Sequence, residues 1–170
     1  MDTYLLISPP YLKQNSTIEN NVEDKLLMTS IEVAQRIHIE DVLGTNLYNA
    51  IISKLENNLL VGDYLTLVDK YVIPAIVKWS YFYALDDINF KNEQSGVVTK
   101  NDEYSTAIDL ETIKYRESKA KDVAQFYTQK VSNYLCANSS LFVEFKTENE
   151  VDETSPRTTN YSNGLYLRKK

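Results

Sequence analysis

The stretch DYLTLVDKYVIPAIVKWSYFYALDDINFK, residues 63–91, decides the fold. Val68, Tyr71, Val72, Ala75, Trp79, Phe82 and Tyr83 recur at three- and four-residue steps, which collects them on one side of an α-helix. Ile73, Ile76, Val77, Tyr81 and Leu85 widen the apolar surface beyond one stripe. A helix this apolar is enclosed by several partners and not laid on a surface. Asp63, after Gly62, suits an N-cap, and Lys91 suits the negative C-terminal end. At ~1.5 Å per residue the helix would run on the order of 43 Å. Pro74 interrupts it. Its ring removes the N–H that would bond the Lys70 carbonyl, so a kink or a break into two helices is expected there.

The flanking sequence supplies the partners. Upstream, Asn21 is a candidate N-cap, with Glu23 and Asp24 in the first turn. Val22, Leu26, Val33 and Ile37 form one apolar row of that helix, and Leu27, Ile31, Ala34 and His38 a second. Asp24, Lys25, Glu32, Gln35 and Arg36 share its wet face, and its end is expected near His38–Ile39. Gly44 marks a connection. Thr45 then caps a segment whose core face is Leu47, Tyr48, Ile51, Ile52 and Leu55. Before all of this, Thr3–Ser8 is a short β-prone run stopped by Pro9-Pro10, either an arm or a strand awaiting a partner. Tyr11–Asn20 reads as turn-rich.

Downstream, residues 92–104 are polar except for Val97 and Val98 behind Gly96, and long for a plain connection between helices. They predict a small hairpin or an insertion into a neighbour. A last long helix should start at Ser105 or Thr106 and reach about Ala137, with Leu141–Phe145 folding back on the bundle. From Thr147 the chain reads as a tail. Glu148, Glu150, Asp152 and Glu153 open it, and Arg157, Arg168, Lys169 and Lys170 close it. So polar a segment cannot order itself. Its cluster Tyr161, Gly164, Leu165, Tyr166 and Leu167 has the form of an anchor that orders on a partner. The chain thus divides into three parts: an N-terminal arm over residues 1–20, a helical domain over 21–146 and a C-terminal arm over 147–170. The fold class is all-α, a small helical bundle with extended arms and one long loop or hairpin.

The 170 residues suffice for one sizeable core. With 4 Gly and 4 Pro the chain is too poor in turn residues for a many-stranded β protein. A net charge of −6 gives no bulk attraction to nucleic acid or acidic membranes. The N-terminus carries Asp2 and a very short apolar run, neither a signal peptide nor a membrane span. Charges at Asp69, Lys70, Lys78, Asp86 and Asp87 exclude a simple transmembrane helix. Cys136 has no second cysteine to pair with, which fits a reducing compartment.

Catalytic and metal chemistry find few donors. A di-iron bundle needs paired Glu-x-x-His motifs, and a zinc site several Cys or His. Here His38 is the only histidine. A Cys136–His38 dyad has no supporting signature. His38 reads as a residue at a helix end, and Cys136 as a small apolar filler. No phosphate-binding glycine loop or nucleophile elbow occurs. No catalytic, metal or cofactor residue is assigned, and the chain is expected not to be an enzyme. Thirteen tyrosines against 5 Phe and 1 Trp fit either a protein–protein surface or the codon habit of an AT-rich genome.

Five segments carry a resemblance: ISPPYLKQNSTIENNVEDKLL (residues 7–27), IEVAQRIHIEDVLGTNLYNAI (31–51), YLTLVDKYVIPAIVKWSYFYAL (64–85), SGVVTKND (95–102) and YSNGLYL (161–167). Together the chain resembles the head-to-tail connector (adaptor, ring) proteins of tailed bacteriophages, most closely those of Bacteroidetes and crAss-like phages. One departure is Phe142-Val143-Glu144-Phe145, where that pattern has a Phe-Pro-Glu-Tyr-like segment. The resemblance implies a virion protein of the neck, assembled in the host cytoplasm. About twelve copies would form a homo-oligomeric ring against the portal protein and other neck or tail proteins. DNA would pass through the lumen without specific binding, and no membrane is involved. Gly96, Val97 and Val98 with Tyr161, Gly164, Leu165, Tyr166 and Leu167 are the expected subunit contacts. The alternative is a helical nucleic-acid-binding or regulatory module, for which Lys114, Arg116, Lys119 and Lys121 would form the basic patch, diluted by Glu111, Glu117 and Asp122.

Overall fold

The computed structural model describes residues 4–93, 96–99, 110–146 and 154–156. The fold is all-α. Helices α1 (Pro9–Gln14), α2 (Asp24–Ala34), α3 (Glu40–Leu43), α4 (Thr45–Glu56), α5 (Gly62–Leu67), α6 (Ile73–Asn89) and α7 (Leu110–Ala137) account for most of the described residues. A two-stranded antiparallel hairpin, β1 (Phe90–Glu93) and β2 (Gly96–Thr99), comes directly after α6. The centre of the bundle is α6, which packs against α2 on one side and α7 on the other. Its Ala75, Ile76 and Ala84 are fully buried, with Val77 and Trp79 nearly so. The enclosure expected from its breadth of apolar residues is what the structure has.

Two π turns decide how the faces fall. One, Val68–Val72, joins α5 to α6 and lies just before Pro74. The proline N cannot donate to the Lys70 carbonyl. A wider turn that shifts the hydrogen-bond register accommodates the missing bond, so the helix runs on from Gly62 to Asn89 in place of breaking. Gly62 opens it after Val61, and Asp63 sits in the first turn without capping by its side chain.

The other π turn, Gln35–Ile39, joins α2 to α3. The helix therefore continues past the expected end at His38–Ile39 to Leu43 and stops at Gly44. One extra residue in the turn rotates the downstream part of the helix by ~100°. Ile37 consequently points outward, 53% exposed, while Ile39 and Gln35 are fully buried. Gln35 is thus not on the wet face. It receives the Leu6 N–H at 2.7 Å and donates to the Tyr4 carbonyl at 3.1 Å and the Tyr48 hydroxyl at 3.2 Å. This side chain ties the bent Tyr4–Ser8 segment to the helix through both a backbone N–H and a carbonyl. Gln35→Leu keeps the volume but removes both backbone partners. A loss of about 1–3 kcal/mol is expected in denaturant unfolding monitored by circular dichroism, with faster exchange of the Leu6 amide.

The N-terminal segment packs on the domain. Pro9 and Pro10 do not stop a strand; they start α1. A proline in the first turn gives up an N–H that has no helical partner anyway, and Ser8 caps the helix by accepting from the Tyr11 N–H. Leu12 is fully buried, and Ile7 and Ile18 nearly so. After α7, two 3-10 turns (Ser139–Leu141 and Val143–Lys146) turn the chain back. Phe142 and Phe145 enter the core, as the fold-back of Leu141–Phe145 predicts, while Val143 stays 76% exposed.

Part of the expected C-terminal arm also docks. Thr154 and Thr45 exchange two hydrogen bonds at 3.0 Å: Thr45 N–H to the Thr154 carbonyl, and Thr154 N–H to Thr45 Oγ1. Thr45 is then the first residue of α4, and Gly44 (φ 77, ψ 150) is its N-cap. A Cβ at Gly44 would lie 2.8 Å from Pro156 Cδ. The close approach and the positive φ both require glycine there.

Candidate interface surfaces

Of the residues expected to carry subunit contacts, Gly96, Val97 and Val98 are among the described residues. Gly96, Val97 and Val98 form β2, in register with Glu93, Asn92 and Lys91 of β1. The expected hairpin is present, and it extends from the C-terminal end of α6. Tyr161, Gly164, Leu165, Tyr166 and Leu167 lie outside the described residues, as does the expected helix start at Ser105 or Thr106; α7 is described from Leu110.

A cluster of polar aromatic groups lies inside the bundle. His38 lies flat on Trp79, with ring centroids 3.4 Å apart and 6° between planes. Its Nε2 is 2.9 Å from the Tyr83 hydroxyl, and burial pushes that hydroxyl above its usual pKa, so it stays protonated. Trp79 Nε1 donates to Thr128 Oγ1 on α7 at 2.7 Å. His38 is therefore not a plain helix-end residue but part of a stack tying α2, α6 and α7 together. Cys136 is exposed and not a core filler. Among the described residues no group of three or more His, Cys, Asp or Glu is placed to hold a metal ion, and no helix is long and apolar enough to cross a membrane.

Outside, α7 carries an aromatic line. Tyr115 is 68% and Phe126 57% exposed. Eleven residues make three turns, so both sit on the same outward face. Lys130 lies over the Phe126 ring at 4.8 Å. The buried side of α7 is the opposite one, through Ile113, Ala124, Val131 and Leu135. A second apolar corner, Leu59 and Val61 with Leu65, lies between α4 and α5. The exposure of the two aromatics Tyr115 and Phe126 is visible only once α7 is docked.

The third surface is a groove of about 510 Å3 between α6, α7 and the chain after α1. Lys78, Arg116 and Lys119 line it, Ala120 and Val123 provide its apolar wall, and Tyr81 accepts a hydrogen bond from Thr17 at 3.0 Å. The basic patch considered from sequence is thereby divided. At ~100° per residue, Arg116 and Lys119 fall on the groove side of α7, while Lys114 and Lys121 fall more than a quarter-turn away. Lys78, on another helix, completes the groove cluster, a juxtaposition that no local pattern signals.

Residues 39–155 match a family described only as a family of unknown function, DUF6712. The chain belongs to the DUF6712 family. The matched DUF6712 region begins at the end of the first π turn and takes in α3 through α7, both fold-back turns and Thr154; α1 and α2 precede it. No curated protein and no solved structure matches the chain.

Proposed function

We propose that this DUF6712 protein is a structural virion subunit: one copy of a ring between the portal and tail of a tailed bacteriophage that continues the DNA channel and docks neck or tail components. The observation that carries the reading is the outward face of α7, where Tyr115 and Phe126 stay exposed in line on the longest helix. Aromatic side chains in line on one rigid helix suit a packed contact with a neighbouring subunit. The hairpin beyond α6 and the apolar corner at Leu59 and Val61 supply further contact surface. The resemblance of residues 7–27, 31–51 and 64–85 to connector proteins gives that neighbour its identity as another copy in a ring.

The test is electron microscopy of the purified protein together with its binding to duplex DNA across a salt series. Closed rings with little DNA binding are expected. A monomer at all concentrations, or tight DNA binding that falls steeply with salt, overturns the reading in favour of a nucleic-acid-binding module. Within the ring, Val97→Ser with Val98→Ser is expected to weaken assembly while leaving monomer helicity unchanged. Unaltered assembly, measured by mass photometry, removes the hairpin from the interface.

A further inference from the structure

We infer that the basic groove receives the acidic segment around residues 148–153 of a neighbouring copy. Lys78, Arg116 and Lys119 converge on the groove, and none of them forms an ion pair among the described residues. The acids of α7 do not neutralise them: at ~100° per residue Glu111, Glu117 and Asp122 fall outside the sector of Arg116, Lys119, Ala120 and Val123. The matching ligand is a short chain bearing several carboxylates and some apolar surface for the Val123 wall. Residues 147–153, TENEVDE, have that composition, with Glu148, Glu150, Asp152 and Glu153 about Val151 and no base.

The segment is tied to its own subunit along α4, which lines no part of the groove. Its two ends are held towards opposite ends of that helix. On one side, Phe142 packs against Tyr64 and Tyr134, and the Val143–Lys146 turn lies on α4. On the other, Thr154 is bonded to Thr45 at the start of α4. Tyr134 is about 21 Å along α7 from Ala120 at ~1.5 Å per residue. A segment of residues 147–153 fixed at both ends reaches out and back by only roughly 12 Å at ~3.4 Å per residue. The elements that hold the ends of the segment and the elements that line the groove are therefore different parts of one subunit. A contact between them is head-to-tail, the type that propagates and closes into a ring. The inference rests on the ring reading for the identity of the neighbour; the groove and its ligand class stand without it.

The experiment uses the full chain and two charge reversals. One is Arg116→Glu with Lys119→Glu, both on the exposed surface of α7. The other is Glu148→Lys, Glu150→Lys, Asp152→Lys and Glu153→Lys. Each alone is expected to raise the concentration needed for assembly by roughly tenfold or more, from loss of several exposed pairs. An equimolar mixture restores assembly, because each reversed groove then meets a reversed segment and each native groove a native one. Variants that assemble like the wild type, or a mixture that stays dispersed, overturn the inference. A synthetic peptide of residues 147–153, titrated onto the full chain at low salt, separates the two readings. If the wild type never assembles but binds the peptide, and the groove reversal abolishes that binding, the ring reading fails and the groove inference stands. If the peptide does not bind, or an oligonucleotide occupies the groove in its place, the groove inference fails.

Discussion

Trp79→Ala is expected to lower stability by ~3–5 kcal/mol. Trp79 is 3% exposed and sits where three helices meet. Ala34 of α2 and Ala124 of α7, both fully buried, face it; larger residues there would push the helices apart. His38 covers one ring face, and the Phe82 ring meets it edge-on with centroids 5.7 Å apart. Truncation leaves a void lined by rings that cannot collapse without moving α6. It also removes the donor to Thr128, although the Thr128 hydroxyl keeps its own bond to the Ala124 carbonyl at 3.2 Å, so the loss is mainly of packing. At ~2–4 °C per kcal/mol for a chain of this size, the melting temperature should fall by roughly 6–20 °C. Circular dichroism with urea is the measurement, because the only tryptophan is gone. A loss below about 1 kcal/mol would show that this stack is not a structural centre.

Phe142→Ala is expected to cost a similar ~3–5 kcal/mol, although the residue lies after the last helix in a run that looks peripheral. It is fully buried, with the Tyr64 ring edge-on at 5.2 Å and 83° and the Tyr134 ring at 6.2 Å. The Tyr64 hydroxyl donates to the Glu144 carboxylate in the next turn. Burial and then that carboxylate push its pKa up to about 12, so the donor stays protonated through neutral pH. Loss of Phe142 thus loosens the clasp between α5 and the end of α7. The control is Val143→Ser, one residue on and 76% exposed, which should stay within about 0.5 kcal/mol of wild type. Equal effects at the two positions would mean that Phe142-Val143-Glu144-Phe145 does not fold back with Phe142 inward.

The sequence by itself determined the all-α class, the central place of α6, the burial of Trp79, the inner face Leu47, Tyr48 and Ile51 of α4 and the end of α7 at Ala137, and for Gly96–Val98 it left a hairpin and an insertion into a neighbour both open. Each rests on a local rule: helical periodicity, a run of apolar residues too broad for one stripe, or two β-branched residues behind a glycine. Pro74 marks the place of the Val68–Val72 π turn, but only the tertiary structure decided the one at Gln35–Ile39, because a single inserted residue there leaves no mark on the local pattern and yet rotates the rest of the helix. That rotation took Ile37 out to solvent; Gln35, at the first position of the turn, lies inside, where burial is tolerated only because Tyr4, Leu6 and Tyr48, distant in sequence, satisfy its amide. The docking of Thr154 and Pro156 on Thr45 and Gly44 is likewise non-local. The groove is the extreme case. Lys78 and Arg116 become neighbours because α6 and α7 pack side by side, and charge proximity across a helix pair is a property of the packed bundle, which no reading along one chain contains.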